Sequence, residues 1–377
     1  MPEGHWAPVP DIPGVPVDLR REGAFVPPPL PTNLLLPPTT YRLVAEAEHA
    51  LGKLDATATL LPTERSLVRC TQLRDAQSSA SLDGLHLGLE EILVADLWAS
   101  QGSVKRPDLL PRVTPYLRTY HHGIRRIRAG APVDAALMIE LSAIMTGQTD
   151  RAIVDTLRSG PSLLGDELTG PYLVTAVGPH LLDGLEQLSN WAGGDHGQPR
   201  VAHLAITHYQ LEVLAPFPAT VNAHMAREST MLHLIRQGLL HDQILPLSVW
   251  FDSTRDEYHR QIRTVVDTGL IHPWIEYVAT AIRDQANAQL TLISGLNDLA
   301  DEFANTATMS HTTRQVLIDL IGYPVINHRA IQERYKVTAR SASNVTRRLI
   351  ELNILTTWET PQYNQAFLCE PVLNLLT

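Results

Sequence analysis

Residues 200–230, RVAHLAITHYQLEVLAPFPATVNAHMAREST, concentrate groups that move protons or bind anions. His208 and Glu212 are four apart, so a helix sets them on one face, with His203 and His224 nearby in sequence. Such a cluster imitates a metal site, but no His-Glu-x-x-His or comparable spacing is present. The plainer reading is a set of buried, hydrogen-bonded polar groups, or the wall of a pocket. His224 is the candidate acid or base, because imidazole titrates near neutrality. Val201, Leu204, Ala205, His208 and Leu211 mark one helical face. Pro216 ends that helix or sits just past it. A second helix is expected from about Ala223, with Asn222 as its N-cap. A loop that feeds a helix N-terminus suits an anion, because its amides are free and the helix dipole favours negative charge.

Elsewhere, Tyr120-His121-His122 lies beside Arg125, Arg126 and Arg128, which reads as a solvated basic face or as a phosphate or acidic-partner contact. No other glycine-rich phosphate loop, catalytic-triad signature or zinc-finger spacing occurs.

The chain that must position these groups has 377 residues, enough for two or three domains, and 44% of them are apolar, which excludes wholesale disorder. Its two cysteines, Cys70 and Cys369, exclude a disulfide scaffold and a four-cysteine metal site. No apolar run is long enough to span a membrane. The first residues lack a basic stretch followed by an apolar core, so the cytoplasm is the expected compartment. The net charge of −10 argues against a whole-chain nucleic-acid binder. Residues 311–377 nevertheless carry seven basic and five acidic side chains, which permits a DNA contact.

Residues 1–40 hold 11 of the 27 prolines and read as an extended arm, docked through Phe25, Val26, Leu30 and Leu34–Leu36. Helical spacing then recurs over Arg65–Ala80, Leu89–Ala99, Met138–Thr146, Leu181–Trp191, Arg200–Leu214, Ala223–Gln237, Thr254–Thr268 and Pro273–Asn305. The turn-rich stretch 160–179 breaks the pattern and predicts a short hairpin around Tyr172–Val177. Near the end, Ile331–Tyr335 and Ala339–Leu352 read as a helix-turn-helix. Asn353–Thr357 and Gln365–Leu368 read as two strands after it, which is the pattern of a winged helix.

Ala215-Pro216-Phe217, Asn222 and Arg227 resemble the Fic (filamentation induced by cyclic AMP) family motif, H-P-F-x-D/E-G-N-G-R-x-x-R. The likeness extends to the preceding HLAITHYQLEVL, to AFVPPPLP in the arm and to Ser78-Ser79-Ala80-Ser81-Leu82-Asp83-Gly84. That last segment resembles the family's inhibitory helix. The hairpin at Gly170–Gly178, Ser253–Tyr258, Trp274 and the C-terminal winged helix also match. The resemblance implies a mainly α Fic-type helical bundle with a small β-hairpin flap, plus a C-terminal winged helix-turn-helix. Its expected parts are an arm (1–40), an N-terminal helical domain (41–130), a Fic core (131–305) and a winged helix (306–377).

The family resemblance also implies transfer of AMP from ATP, with Mg²⁺, to a protein hydroxyl. Residue by residue, that implication weakens. Ala215 stands at the position of the base. Phe217 matches, as a core residue. With one extra residue in the loop, Thr220 takes the carboxylate position, Val221 and Ala223 the glycines, Asn222 the asparagine, His224 the first arginine and Arg227 the last. In the inhibitory segment with Ser79 and Gly84, Asp83 stands one methylene short of the glutamate that the resemblance implies; it either pairs with Arg227 or merely caps or solvates its helix. The expected protein is therefore impaired as an AMP transferase and acts by binding a protein partner or small ligand. ATP and Mg²⁺ enter only if the family activity is retained. Two other readings stand beside it. One is redirected chemistry in the same pocket through His224, Asn222 and Arg227. The other is a DNA-binding regulator using Arg340, Arg347 and Arg348. No metal site and no membrane contact are expected, and homodimerisation is left open.

Overall fold

The structure, a computed structural model, describes residues 3–9, 16–59, 64–101, 110–148, 157–166, 170–194, 196–306, 309–358 and 365–376. The proline-rich start is less extended than expected. β1 (His5–Ala7) pairs antiparallel with β2 (Ala24–Val26), and α1 (Val17–Glu22) lies between them. Phe25, 2% exposed, bridges to Thr175. Farther on, the Pro31 carbonyl accepts from Trp191 Nε1 at 2.9 Å. A chain poor in N–H donors is thus anchored through its acceptors and its aromatic ring.

Helices then dominate. α2 (Pro38–Ala58) buries Val44, Ala47, Leu51 and Leu54, three or four residues apart. α3 (Glu64–Leu82), α4 (Leu89–Ser100), α5 (Leu110–Arg128) and α6 (Ala135–Thr146) follow. The expected hairpin forms from β3 (Leu163–Asp166) and β4 (Gly170–Val174). Its register shifts after Leu164, where Gly165 has φ +137° and a Cβ would lie 2.2 Å from the Gly170 carbonyl oxygen. Only glycine fits there.

α7 (Pro179–Ala192), α8 (Arg200–Leu214), α9 (Ala219–Arg236), α10 (Leu247–Ser253), α11 (Arg255–Thr268) and α12 (His272–Asn305) complete the body. α8 is the central helix, with every residue from Val201 to Leu214 buried. The 34-residue α12 lies along α2 and also packs on α8, where Trp274 Nε1 donates to the Ala205 carbonyl at 2.7 Å.

The C-terminal part runs α13 (His311–Asp319), β5 (Val325–Asn327), α14 (His328–Tyr335), α15 (Ala339–Glu351), β6 (Leu355–Thr357), β7 (Ala366–Cys369) and α16 (Glu370–Leu376). Its sheet order is β5-β7-β6. Each of the three longer helices starts on a side-chain cap, from Ser310, Asn327 and Thr338. One apolar core runs through the body and this part, from Phe25 to Leu376. Asn327 and Gln101 exchange two 2.9 Å side-chain hydrogen bonds across the junction.

Candidate functional site

The connection between α8 and α9 is tighter than its sequence suggests. Ala215 closes α8 in the left-handed region (φ 41°, ψ 58°), and α9 starts at Ala219 with Pro218 as N-cap. The expected helix start near Ala223, with Asn222 as N-cap, is therefore corrected by four residues. Pro218 holds φ at −52°, preset for helix entry, so the turn winds at once. Val221 and Asn222 already donate their amides to the Pro218 carbonyl, at 2.9 and 3.1 Å. Asn222 sits inside the helix, and its Oδ1 accepts from the Phe217 amide at 3.4 Å. Val221, 5% exposed, and Phe217, 0%, are core side chains.

Arg158 closes the other side of this turn. Its guanidinium donates to the carbonyls of Leu214 (2.8 Å), Ala215, Gly160 and Ala176. Two of those are orphan carbonyls at the C-terminus of α8, and the other two belong to the segments flanking the hairpin. Burial lowers the Arg158 pKa to about 10. Nothing in the local sequence around Arg158 signals this role, since all but one of its partners lie 18 to 57 residues away.

A cavity of about 470 Å³ opens beside the turn. The hairpin contributes Leu163, Leu164, Gly165 and Tyr172. The end of α3 contributes Leu82, with Asp83 and Gly84 just after it. α11 brings Arg255, Tyr258, His259 and Ile262. The central pair supplies Glu212, Ala215, Ala219, Thr220, Asn222 and Ala223. Thr220 is exposed on the rim. Gly84 takes φ +81° as the left-handed residue that ends α3, with the Leu85 amide bonded back to Ala80 at 2.8 Å.

Arg227 does not reach openly into this space. Its Nη2 donates to Asp83 Oδ1 at 2.8 Å and to the Ser79 carbonyl at 3.1 Å, and its Nε donates to Ser79 Oγ at 3.0 Å. Burial is the largest single influence and works against the charged guanidinium, but Asp83, Tyr258 and Glu212 together outweigh it and the pKa is raised. Asp83 also accepts from the Tyr116 hydroxyl at 2.9 Å.

His224 lies behind this pair and away from the cavity. It is fully buried, with Nδ1 2.9 Å from Ser79 Oγ and Nε2 3.2 Å from Thr119 Oγ1. Thr119 in turn donates to the Tyr116 carbonyl at 2.7 Å. Every hydrogen finds an acceptor if Ser79 donates to Nδ1 and Nε2–H donates to Thr119. Burial, with Arg227 beside it, pushes the His224 pKa well below its usual value. His224, the expected acid or base, is thus held neutral by its surroundings and does not line this cavity.

The polar face of α8 supplies a carboxylate that is both buried and hydrogen-bonded and part of a pocket wall, as the spacing of His208 and Glu212 suggested. Glu212 is 3% exposed and lines the cavity. Its Oε1 meets the Tyr258 hydroxyl, and its Oε2 lies 3.5 Å from Asn222 Nδ2. The same tyrosine oxygen is 2.7 Å from His208 Nε2, and His208 Nδ1 is 2.8 Å from Thr230 Oγ1. Burial raises the Glu212 pKa, against the pull of Tyr258 and Arg227, and lowers that of His208 to about 3. The spacing of His208 and Glu212 was visible in the sequence; Tyr258, 46 residues after Glu212, was not.

The donor set does not fit a magnesium-bound triphosphate. Thr220 offers a hydroxyl where a hard cation wants a carboxylate. Asp83 is committed to Arg227 and Tyr116, and Glu212 to Tyr258. Among the described residues no group of three or more His, Cys, Asp or Glu could hold a metal ion. Arg340, Arg347 and Arg348 are exposed on or near α15, remote in the chain from these residues; Arg347 bonds Asn344 and Arg348 pairs with Glu351. No described helix is long and apolar enough to cross a membrane.

The Fic/DOC family N-terminal region, Fic_N, matches residues 41–125. Among solved structures, a Fic family protein from Desulfovibrio desulfuricans G20 aligns with a TM-score of 0.57 at 17% identity, over 90% of this chain and 98% of that one. A point variant of Fic-1 from C. elegans, spanning its residues 134–508, aligns at 18% identity with a TM-score of 0.47, over 67% and 74%. The fold is therefore Fic-type throughout most of its length. Residues 41–125 thus resemble the N-terminal region of the Fic/DOC family, on a fold similar to that of a Fic family protein.

Proposed function

We propose that this protein binds a small ligand or partner segment in the cavity beside the hairpin and does not transfer AMP by the Fic family's route. One observation carries the reading. The turn between α8 and α9 is Ala215-Pro216-Phe217-Pro218, with no glycine from there to Arg227, and helix begins at Ala219. A methyl group takes no proton, and loss of a positioned base costs about 10²–10⁴ in rate. Backbone amides wound into a helix cannot fold around a phosphate chain as a glycine-lined loop does. The nearest cation on this helix, Arg227, is already neutralised by Asp83.

The test is a calorimetric titration with Mg-ATP, together with labelling by ATP carrying a radioactive α-phosphate. Wild type and Ala215→His are expected to transfer no label, because the histidine alone restores neither carboxylate nor cradle. Tight Mg-ATP binding with label transfer to protein by wild type overturns the reading.

A further inference from the structure

Four side chains on three helices form a continuous buried chain that ends at the cavity: Thr230 (α9), His208 (α8), Tyr258 (α11) and Glu212 (α8). All four are at most 3% exposed. Its direction can be traced from the far end. Thr230 Oγ1 donates to the Ala226 carbonyl at 3.1 Å, so its hydroxyl proton is spent and it accepts from His208 Nδ1–H. His208 is neutral, so Nε2 is an acceptor and takes the Tyr258 hydroxyl proton. Tyr258 then has no proton left for Glu212, and the contact between their oxygens requires the proton to sit on Glu212. In this arrangement Glu212 is a carboxylic acid, the form that its burial also favours.

The chain runs equally well in reverse. If Thr230 turns its hydroxyl to His208 Nδ1, the imidazole tautomer switches, Tyr258 donates to Glu212 Oε1, and the Glu212 proton moves to Oε2. That oxygen belongs to the side chain lining the cavity. The geometry points to Glu212 as a proton donor to a cavity-bound ligand that offers an acceptor, with Tyr258, His208 and Thr230 as positioning residues. When the proton leaves, the O–H bond of Glu212 breaks and a ligand heteroatom–hydrogen bond forms. The carboxylate left behind accepts from Tyr258 and Asn222, and it regains a proton from water. The charged groups facing it are Arg227 on α9 and Asp83 after α3, which already neutralise each other. An acceptor-rich small molecule, a carbonyl compound or oxyanion, suits this wall, where Arg255 and the Thr220 hydroxyl add further donors.

The inference rests on the cavity being the working site, but its test does not depend on nucleotide binding or label transfer, so the two can fail separately. Infrared difference spectra of the full chain, wild type minus Glu212→Gln, read the protonated-carboxyl C=O stretch at pH 7. The band is expected in wild type, and its absence overturns the proposal. Tyr258→Phe removes the partner and is expected to move the band toward that of a less hydrogen-bonded acid. An unmoved band, in a variant that keeps its melting transition, overturns the chain. In deuterated buffer the band shifts as the proton exchanges through the cavity. Ala223→Trp, or the milder rim plug Thr220→Phe, is expected to slow that exchange about tenfold; equal rates in wild type and both plugged variants overturn the cavity-facing role.

Discussion

Arg227 and Asp83 face each other at 2.8 Å, with side chains only 4% and 13% exposed, and join α9 to the end of α3. The pair lies beside Ser79, which accepts from the guanidinium through both its hydroxyl and its carbonyl. Removing one partner strands a buried charge, whereas removing both does not. Asp83→Asn is expected to cost about 3 kcal/mol in urea unfolding at pH 7. The double variant Asp83→Leu/Arg227→Met is expected to lose less than the two single losses summed. A strictly additive double-mutant cycle would contradict this account.

Arg158 is expected to matter more than its position in a turn suggests. Its four carbonyl acceptors include those of Leu214 and Ala215 at the end of α8 and one on each side of the hairpin. Arg158→Ala leaves those carbonyls unpaired and should cost about 2–3 kcal/mol. Lysine should not rescue it, because a point charge cannot replace the guanidinium fork. Hydrogen exchange of peptides covering 163–174 should rise in both variants; unchanged protection would show that the hairpin is held by other contacts.

His233 gives a pH signature with a definite sign. Burial, with His203 nearby, lowers its pKa from 6.5 to about 3. The folded state therefore excludes a proton that the unfolded state binds. This histidine's contribution is complete above pH 6.5 and is lost as pH falls toward 3, at about 1.4 kcal/mol per unit. Its Nε2 has no hydrogen-bond partner, so a leucine breaks no bond at that nitrogen. Relative to wild type, His233→Leu should gain stability steadily from pH 6.5 down to 4.5. Parallel stability–pH curves for the two proteins would refute this.

Two glycines in open space should respond oppositely to alanine. Neither Gly52 nor Gly84 has any atom within 4 Å of a built Cβ. Gly52 is inside α2 without a positive φ, so Gly52→Ala should stabilise by about 0.5–1 kcal/mol. Gly84 holds φ +81°, so Gly84→Ala should destabilise by about 1 kcal/mol. Thermal melts of the two variants shifting in the same direction would contradict the argument.

The sequence by itself determined the helical body, because apolar residues three and four apart leave a helix no other way to bury them. The span Arg200–Leu214 was legible at both ends, since Pro199 precedes it and Pro216 follows it closely. The hairpin was legible from its glycines, and the C-terminal helices and strands from their spacing. The alanine at 215 and the lack of glycine after it were equally plain as residues. Only the tertiary structure decided what those residues do. Asn222 looked like a cap because side-chain type marks caps; Pro218 takes that place by its fixed backbone angle. His224 looked reactive because free imidazole titrates near neutrality, but burial and two hydroxyl partners hold it neutral and away from the cavity. Glu212 and His208 stood out by their spacing, but the Tyr258 hydroxyl that links them comes from another helix. Arg158 gave no signal at all. Protonation and hydrogen bonding depend on solvent exclusion and on partners dozens of residues away, and periodicity along a chain encodes neither.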